Sequence, residues 1–188
     1  MPPATRSEPG GRLFPFPASM KRRPLSGDEV REAEKVFGDS LDFEAVRVVE
    51  SAVMGVGNYA RTPFETVYFP PGAGDSAAFV PWLIHELTHV WQTQHGVSVL
   101  TKLRGAVRGR YDYGGEAGLR AGRRFRDFNT EQQGDICRDY YRTVVAGGDT
   151  SAYERFLAEV RAARATPPRP PRPRRRPSGA GRRAATRA

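Results

Sequence analysis

A chain of 188 residues is long enough for one domain with a real core, and its single cysteine, Cys137, excludes both an intramolecular disulfide and a cysteine-based zinc cluster. The formal charge of +9 suggests a nucleic-acid partner until it is divided along the chain. Residues 166–188 carry eight arginines and no acid, residues 1–25 hold five basic residues against Glu8, and the body between them is slightly acidic. The basic character therefore belongs to the ends, where weak attraction of the arginine tail to nucleic acid, a membrane or an acidic partner is the most that charge supports.

In chain order, residues 1–24 read as a disordered basic lead-in rich in Pro, Gly and Arg, with Met20 as a candidate start. They lack the unbroken apolar run of a Sec signal, and no stretch has the length of a membrane span. A cytoplasmic protein is expected from this, with any export by a dedicated machine. "SGDE" at Ser26–Glu29 is a capping box opening a helix that Gly38 closes. "VRVVE" (46–50) and "ETVYFP" (65–70) are rich in β-branched and aromatic residues and predict two short strands. A turn at 70–76 leads into an apolar helix from about Ala77 to His95, stopped by Gly96. Residues 97–128 read as irregular. Thr130 begins "TEQQ", a second capping pattern, and its helix runs to about Ala146. A last helix, capped by Thr150 or Ser151, precedes an arginine- and proline-rich tail over 166–188, read as disordered. The domain proper is thus expected over 25–165.

All three histidines fall within "HELTHVWQTQH", residues 85–95. On a helix, positions four apart lie about 40° apart in direction and about 6 Å apart in height. His85 and His89 can then grip one Zn²⁺ ion from a single face, while Glu86 stands beside them as general base for a zinc-activated water. The alternative is a polar stripe on a buried helix, with Phe79, Leu83, Leu87, Val90 and Trp91 as core. Two imidazoles and a carboxylate without partners would make such a stripe costly.

Two residues compete for the third ligand position. His95 completes the spacing H-E-x-x-H-x-x-G-x-x-H of the metzincins, but Gln92 stands where that pattern needs the glycine that breaks the helix. Without a break, His95 lies about 15 Å of rise from His85. No methionine follows the motif to form a Met-turn. Glu131 in "NTEQQGDICRDYY" is the other candidate, and with Asp135 it forms the E-x-x-x-D pattern of thermolysin-like enzymes, the gluzincins. Glu131 is the expected ligand, and Asp135 is expected to hydrogen-bond the far nitrogen of a ligating histidine. A catalytic site also needs an oxyanion donor. Tyr111, Tyr113 and Tyr140 are candidates, with Tyr113 preferred.

"RPLSGDEVREAEKVFGDSLDFEAVRV", "LIHELTHVWQTQ", "YDY" and "FNTEQQGDICRDYY" resemble a bacterial family of Vgr-related (Rhs-element Vgr) proteins. They are also similar to the metallopeptidase core domain found with extracellular contractile injection systems. The resemblance covers about residues 23–146. It implies an α+β, zincin-like fold with a mainly helical metal-binding half and a small N-terminal sheet. It also implies a gluzincin-like site at His85, Glu86, His89 and Glu131, and a link to secretion or contractile injection machinery. The expected activity is zinc-dependent hydrolysis of peptides. The rival expectation is a non-catalytic, zinc-stabilised module that docks onto such an assembly.

Overall fold

A computed structural model describes residues 22–54, 60–98 and 112–163. Tyr111, the tail at 166–188 and most of the lead-in lie outside the described residues. The lead-in nevertheless ends earlier than expected. Arg22–Arg23 forms strand β1, paired antiparallel with Val48 and Val49. Its fixed point is Arg23, whose guanidinium donates to both oxygens of Glu29 at 2.7 Å.

Helix α1, Gly27–Phe37, starts at the Ser26–Glu29 capping box and ends at Gly38, whose φ of 52° suits a residue without a side chain. Strands β2, Arg47–Glu50, and β3, Thr66–Phe69, run parallel, giving a three-stranded sheet in the order β1-β2-β3. In the central strand Val48 and Val49 point to opposite faces and both are buried, so the sheet is covered on both sides there. In β3 only Val67 and Phe69 are buried, the alternation of a half-covered strand. Arg61 pairs with Tyr68 through two backbone hydrogen bonds of 3.0 and 2.8 Å, which lays the chain before β3 along its outer edge.

Helix α2, Phe79–Gln94, carries the histidines. Pro81 falls in its first turn, where a missing N–H costs nothing. Twelve of its sixteen residues are buried, so its polar side chains need partners inside the protein. Phe69 from β3 packs against Phe79 and Trp82 at ring distances of 5.0 Å. The helix stops in a Schellman motif. Val97 N–H bonds Gln92 O, Gly96 N–H bonds Thr93 O, and Gly96 takes φ 87°.

The span expected to be irregular contains a short helix, α3, Gly115–Arg120, and a 3-10 turn at Phe125–Asp127. Six residues around Gly114 and Gly118 offered too little periodicity to announce a helix. Helix α4, Thr130–Val145, begins one position away from the expected cap. Asn129 is the N-cap, and its capping partner is Gln132. Helix α5, Glu154–Ala162, follows Tyr153 without a side-chain cap, so neither Thr150 nor Ser151 holds the expected role. Helices α2 and α4 pack against each other along their length, and α1, α5 and the sheet surround them in one core. The fold is α+β, rich in helix with one small sheet. No helix among the described residues is long and apolar enough to cross a membrane.

Candidate metal centre

The continuous α2 helix presents His85 and His89 side by side, with ring centroids 5.0 Å apart and planes at 80°. Helix α4 meets them with its first turn. Glu131 Oε2 lies 3.4 Å from His85 Nε2, and Glu131 Oε1 lies 3.5 Å from His89 Nε2. One donor atom from each of the three residues falls within 4.8 Å of the others. A tetrahedral site with bonds of about 2.0–2.1 Å needs donor–donor edges of about 3.3 Å. Both carboxylate edges therefore have the span of a coordination sphere. Two imidazoles and one carboxylate are also the donor set that leaves a fourth position open for chemistry. The residues fit a divalent metal ion.

His85 and Glu131 share their charge strongly. Burial alone would lower the pKa of His85, but the carboxylates of Asp135 and Glu131 outweigh it and raise the imidazole to about 9. Burial likewise acts to raise Glu131, and the two histidines overcome it, holding the carboxyl well below its ordinary range. Without an ion, both shifts favour an imidazolium facing a carboxylate.

A supporting layer holds each ring. Asp135 Oδ1 approaches His85 Nδ1 to 2.9 Å, close but outside good hydrogen-bond alignment, and the same oxygen accepts from Arg138 at 2.5 Å. His89 Nδ1 faces Gln92 Oε1 at 3.0 Å. Gly134 sits directly against His85: a Cβ there would lie 2.7 to 3.0 Å from three atoms of the ring. Glu86 is buried, and its Oε2 accepts a hydrogen bond of 2.6 Å from the Thr62 hydroxyl. The Arg61–Tyr68 pair positions Thr62 at the sheet edge.

The other candidates make different contacts. His95 is the C-cap of α2, stacked on Trp91 at 4.3 Å with its Nδ1 2.7 Å from Trp91 O, and it is outside the ligand cluster. Because Gln92 leaves the helix unbroken, His95 is carried past the site rather than back to it. Tyr113 donates to Asp139 at 2.9 Å and lies 3.4 Å from the Tyr153 hydroxyl, neither of them a member of the His85–His89–Glu131 cluster. Burial and the Asp139 carboxylate push its phenol far above the ordinary value. It shares with Asp135, Arg138 and Asp139 a polar pocket of about 280 Å³. The Tyr140 hydroxyl accepts from Arg161.

Comparison with known proteins gives this chain a relative. The effector domain of Pseudomonas aeruginosa VgrG2b superposes with a TM-score of 0.58 at 38% sequence identity, over 71% of this chain and 81% of that one. This chain belongs to the VgrG2b effector-domain family. The full-length type VI secretion system spike protein VgrG2b of Pseudomonas aeruginosa is 39% identical over 163 residues. That match takes in 78% of this chain but only 15% of the spike protein, so the kinship with VgrG2b is to one of its parts. No family model matches the chain.

Within this VgrG2b-like domain, sequence reasoning missed four residues. Thr62 leaves no signal, because only the strand pairing brings it to Glu86. Gly134 is legible as a glycine inside a helical pattern, a position that asks for a packing reason. Gln92 shows in the sequence only as the loss of a helix break, with nothing to mark it as a partner of His89. Gln133 stands behind it.

Proposed function

We propose that this domain is a zinc-dependent peptidase with a zincin-like scaffold and a gluzincin-like site, acting as an effector that travels with a secretion spike. The observation that carries the reading is the closure of His85 and His89 by Glu131 from a second helix, with Glu86 buried beside them. His85, His89 and Glu131 would hold the ion. A divalent ion bound there supplies Lewis acidity, which polarises a peptide carbonyl and acidifies water. Glu86 takes the proton of the attacking water, and Thr62 fixes the orientation of its carboxylate. Asp135 and Gln92 hold the two rings so that both Nε2 atoms face Glu131. Association with a spike follows from the kinship with VgrG2b, which is named as a spike protein.

The test is the purified protein beside Glu86→Gln, with metal content and peptide cleavage measured on both. The reading expects near-stoichiometric zinc in each and a loss of about 10²–10⁴-fold in cleavage by the variant. Equal behaviour of the two, in a broad peptide screen and in cells, would instead support a zinc-stabilised docking module. Zinc content unchanged by Glu131→Ala would remove Glu131 from the ligand set.

A further inference from the structure

Gln92 is fully buried one turn beyond His89, and both ends of its amide are engaged. Its Nε2 donates to Thr130 O at 3.0 Å and to Gln133 Oε1 at 2.8 Å. The Gln133 amide is filled in the same way, with Nε2 donating to Phe125 O at 3.1 Å and Phe128 O at 3.0 Å. Backbone carbonyls can only accept. Phe125 and Phe128 therefore force the NH₂ of Gln133 toward them, and its oxygen must turn to Gln92. That oxygen and Thr130 O in turn claim both protons of the Gln92 NH₂. Only the Gln92 oxygen remains for His89, so His89 Nδ1 must carry a proton. The lone pair of the neutral ring then lies on Nε2, the atom 3.5 Å from Glu131. Turning over either amide would set donor against donor or oxygen against oxygen at a buried position.

We infer that Gln133 and Gln92 form a one-way hydrogen-bond relay, anchored on three backbone carbonyls, that locks His89 in the ligand-competent tautomer. Gln92 and Gln133 are positioning residues: they touch neither an ion nor a substrate but decide which nitrogen His89 offers. The relay rests on the reading of the cluster as a metal centre and adds how the second imidazole is prepared for it. His85 differs in that its Nδ1 faces a carboxylate, Asp135 Oδ1, at 2.9 Å. The substitution that takes the metzincin glycine away thus supplies the side chain that orients the ligand three residues earlier.

Ring ¹⁵N spectra of the metal-free full chain at alkaline pH read the tautomer directly. Zn²⁺ affinity is measured in parallel by competition with a chromophoric chelator, and stability by denaturant titration. Wild type is expected to show His89 protonated on Nδ1. Gln92→Met is expected to lose that signature and to bind Zn²⁺ about 10–100-fold more weakly. Gln92→Glu keeps an acceptor for Nδ1 but loses both donors, so it is expected to lose stability while retaining the tautomer and most of the affinity. A purely structural role predicts the opposite, with Zn²⁺ affinity following stability in both variants. A wild-type His89 protonated on Nε2 overturns the relay, as does an unchanged tautomer in Gln92→Met. If Gln92→Met does not fold, the wild-type spectrum and Gln92→Glu decide. Failure of the wild type to bind Zn²⁺ would count against the metal centre alone, because the tautomer is read without metal.

Discussion

At the scale of single residues, the site depends on how closely α4 approaches one imidazole. Gly134 permits that approach, and a methyl group there would meet the His85 ring at 2.7 to 3.0 Å. Alanine gains about 1 kcal/mol over glycine in helix propensity, while forcing the ring aside costs about 1–3 kcal/mol. Gly134→Ala is therefore expected to change stability modestly but to weaken Zn²⁺ binding by at least about tenfold, since the ring moves off its ligand position. A chelator-competition titration beside a denaturation curve separates the two effects. His85 also sets a pH dependence. Its folded pKa of about 9 stands above the ordinary 6.5, so its contribution is complete below about pH 6.5 and is lost as pH rises through about 9. Glu131 is shifted the other way, so its contribution holds above its ordinary value of 4.5 and is lost in acid. The metal-free protein is expected to be most stable near pH 5–6.5 and to weaken toward pH 9, whereas Zn²⁺ affinity rises over the same range as protons leave the ligands. Thermal melts across pH, with and without Zn²⁺, would show the two trends crossing; parallel trends would refute the imidazolium–carboxylate pair.

At the scale of elements, two helix starts with equivalent capping boxes have different consequences. Ser26 caps α1, and Asn129 caps α4 two residues before Glu131. Replacing either cap with alanine costs about 1 kcal/mol of stability. Asn129→Ala is expected to lower Zn²⁺ affinity as well, because the frayed turn carries Glu131, the proposed carboxylate ligand, while Ser26→Ala is expected to leave affinity unchanged. Equal metal affinity in the two variants would show that the ligand turn is held by packing and not by its cap. The same elements show what a sequence discloses. The Ser26–Glu29 box, the β-branched runs of β2 and β3, and the Gly96 stop were readable because each is a local rule satisfied by adjacent residues. The cap of α4 falls one residue from its expected place because Asn129 and Thr130 are both good caps and only the backbone shows which is extended. Strand β1 was missed because two arginines have no strand preference of their own; pairing with Val48–Val49 and the Glu29 contact make them one.

Across the whole molecule, α5 is tied to the end of α1 through Arg161. Its guanidinium donates to Lys35 O at 2.6 Å, Val36 O at 3.2 Å and the Tyr140 hydroxyl at 2.9 Å, satisfying carbonyls at the C-terminus of α1. Arg161→Ala is expected to cost about 1 kcal/mol, given the partial exposure of these bonds, and to leave Zn²⁺ affinity intact. A loss of metal binding in that variant would mean that the α1–α5 layer shapes the site rather than only closing the core.

Spacing along the chain is enough to place His85, Glu86 and His89 on one helix, because residue separation within a helix translates directly into direction and height. It also made Glu131 and Asp135 a plausible second half, without any means of bringing the halves together. Only the tertiary structure decided that Glu131 closes on both imidazoles, that His95 turns to Trp91, and that Gln92 faces His89. Those outcomes depend on how α4 packs across α2, with Gly134 admitting the contact and buried carbonyls orienting the amides. Distances between residues some forty positions apart are set by packing and hydrogen-bond satisfaction across the core, which spacing along a chain does not encode.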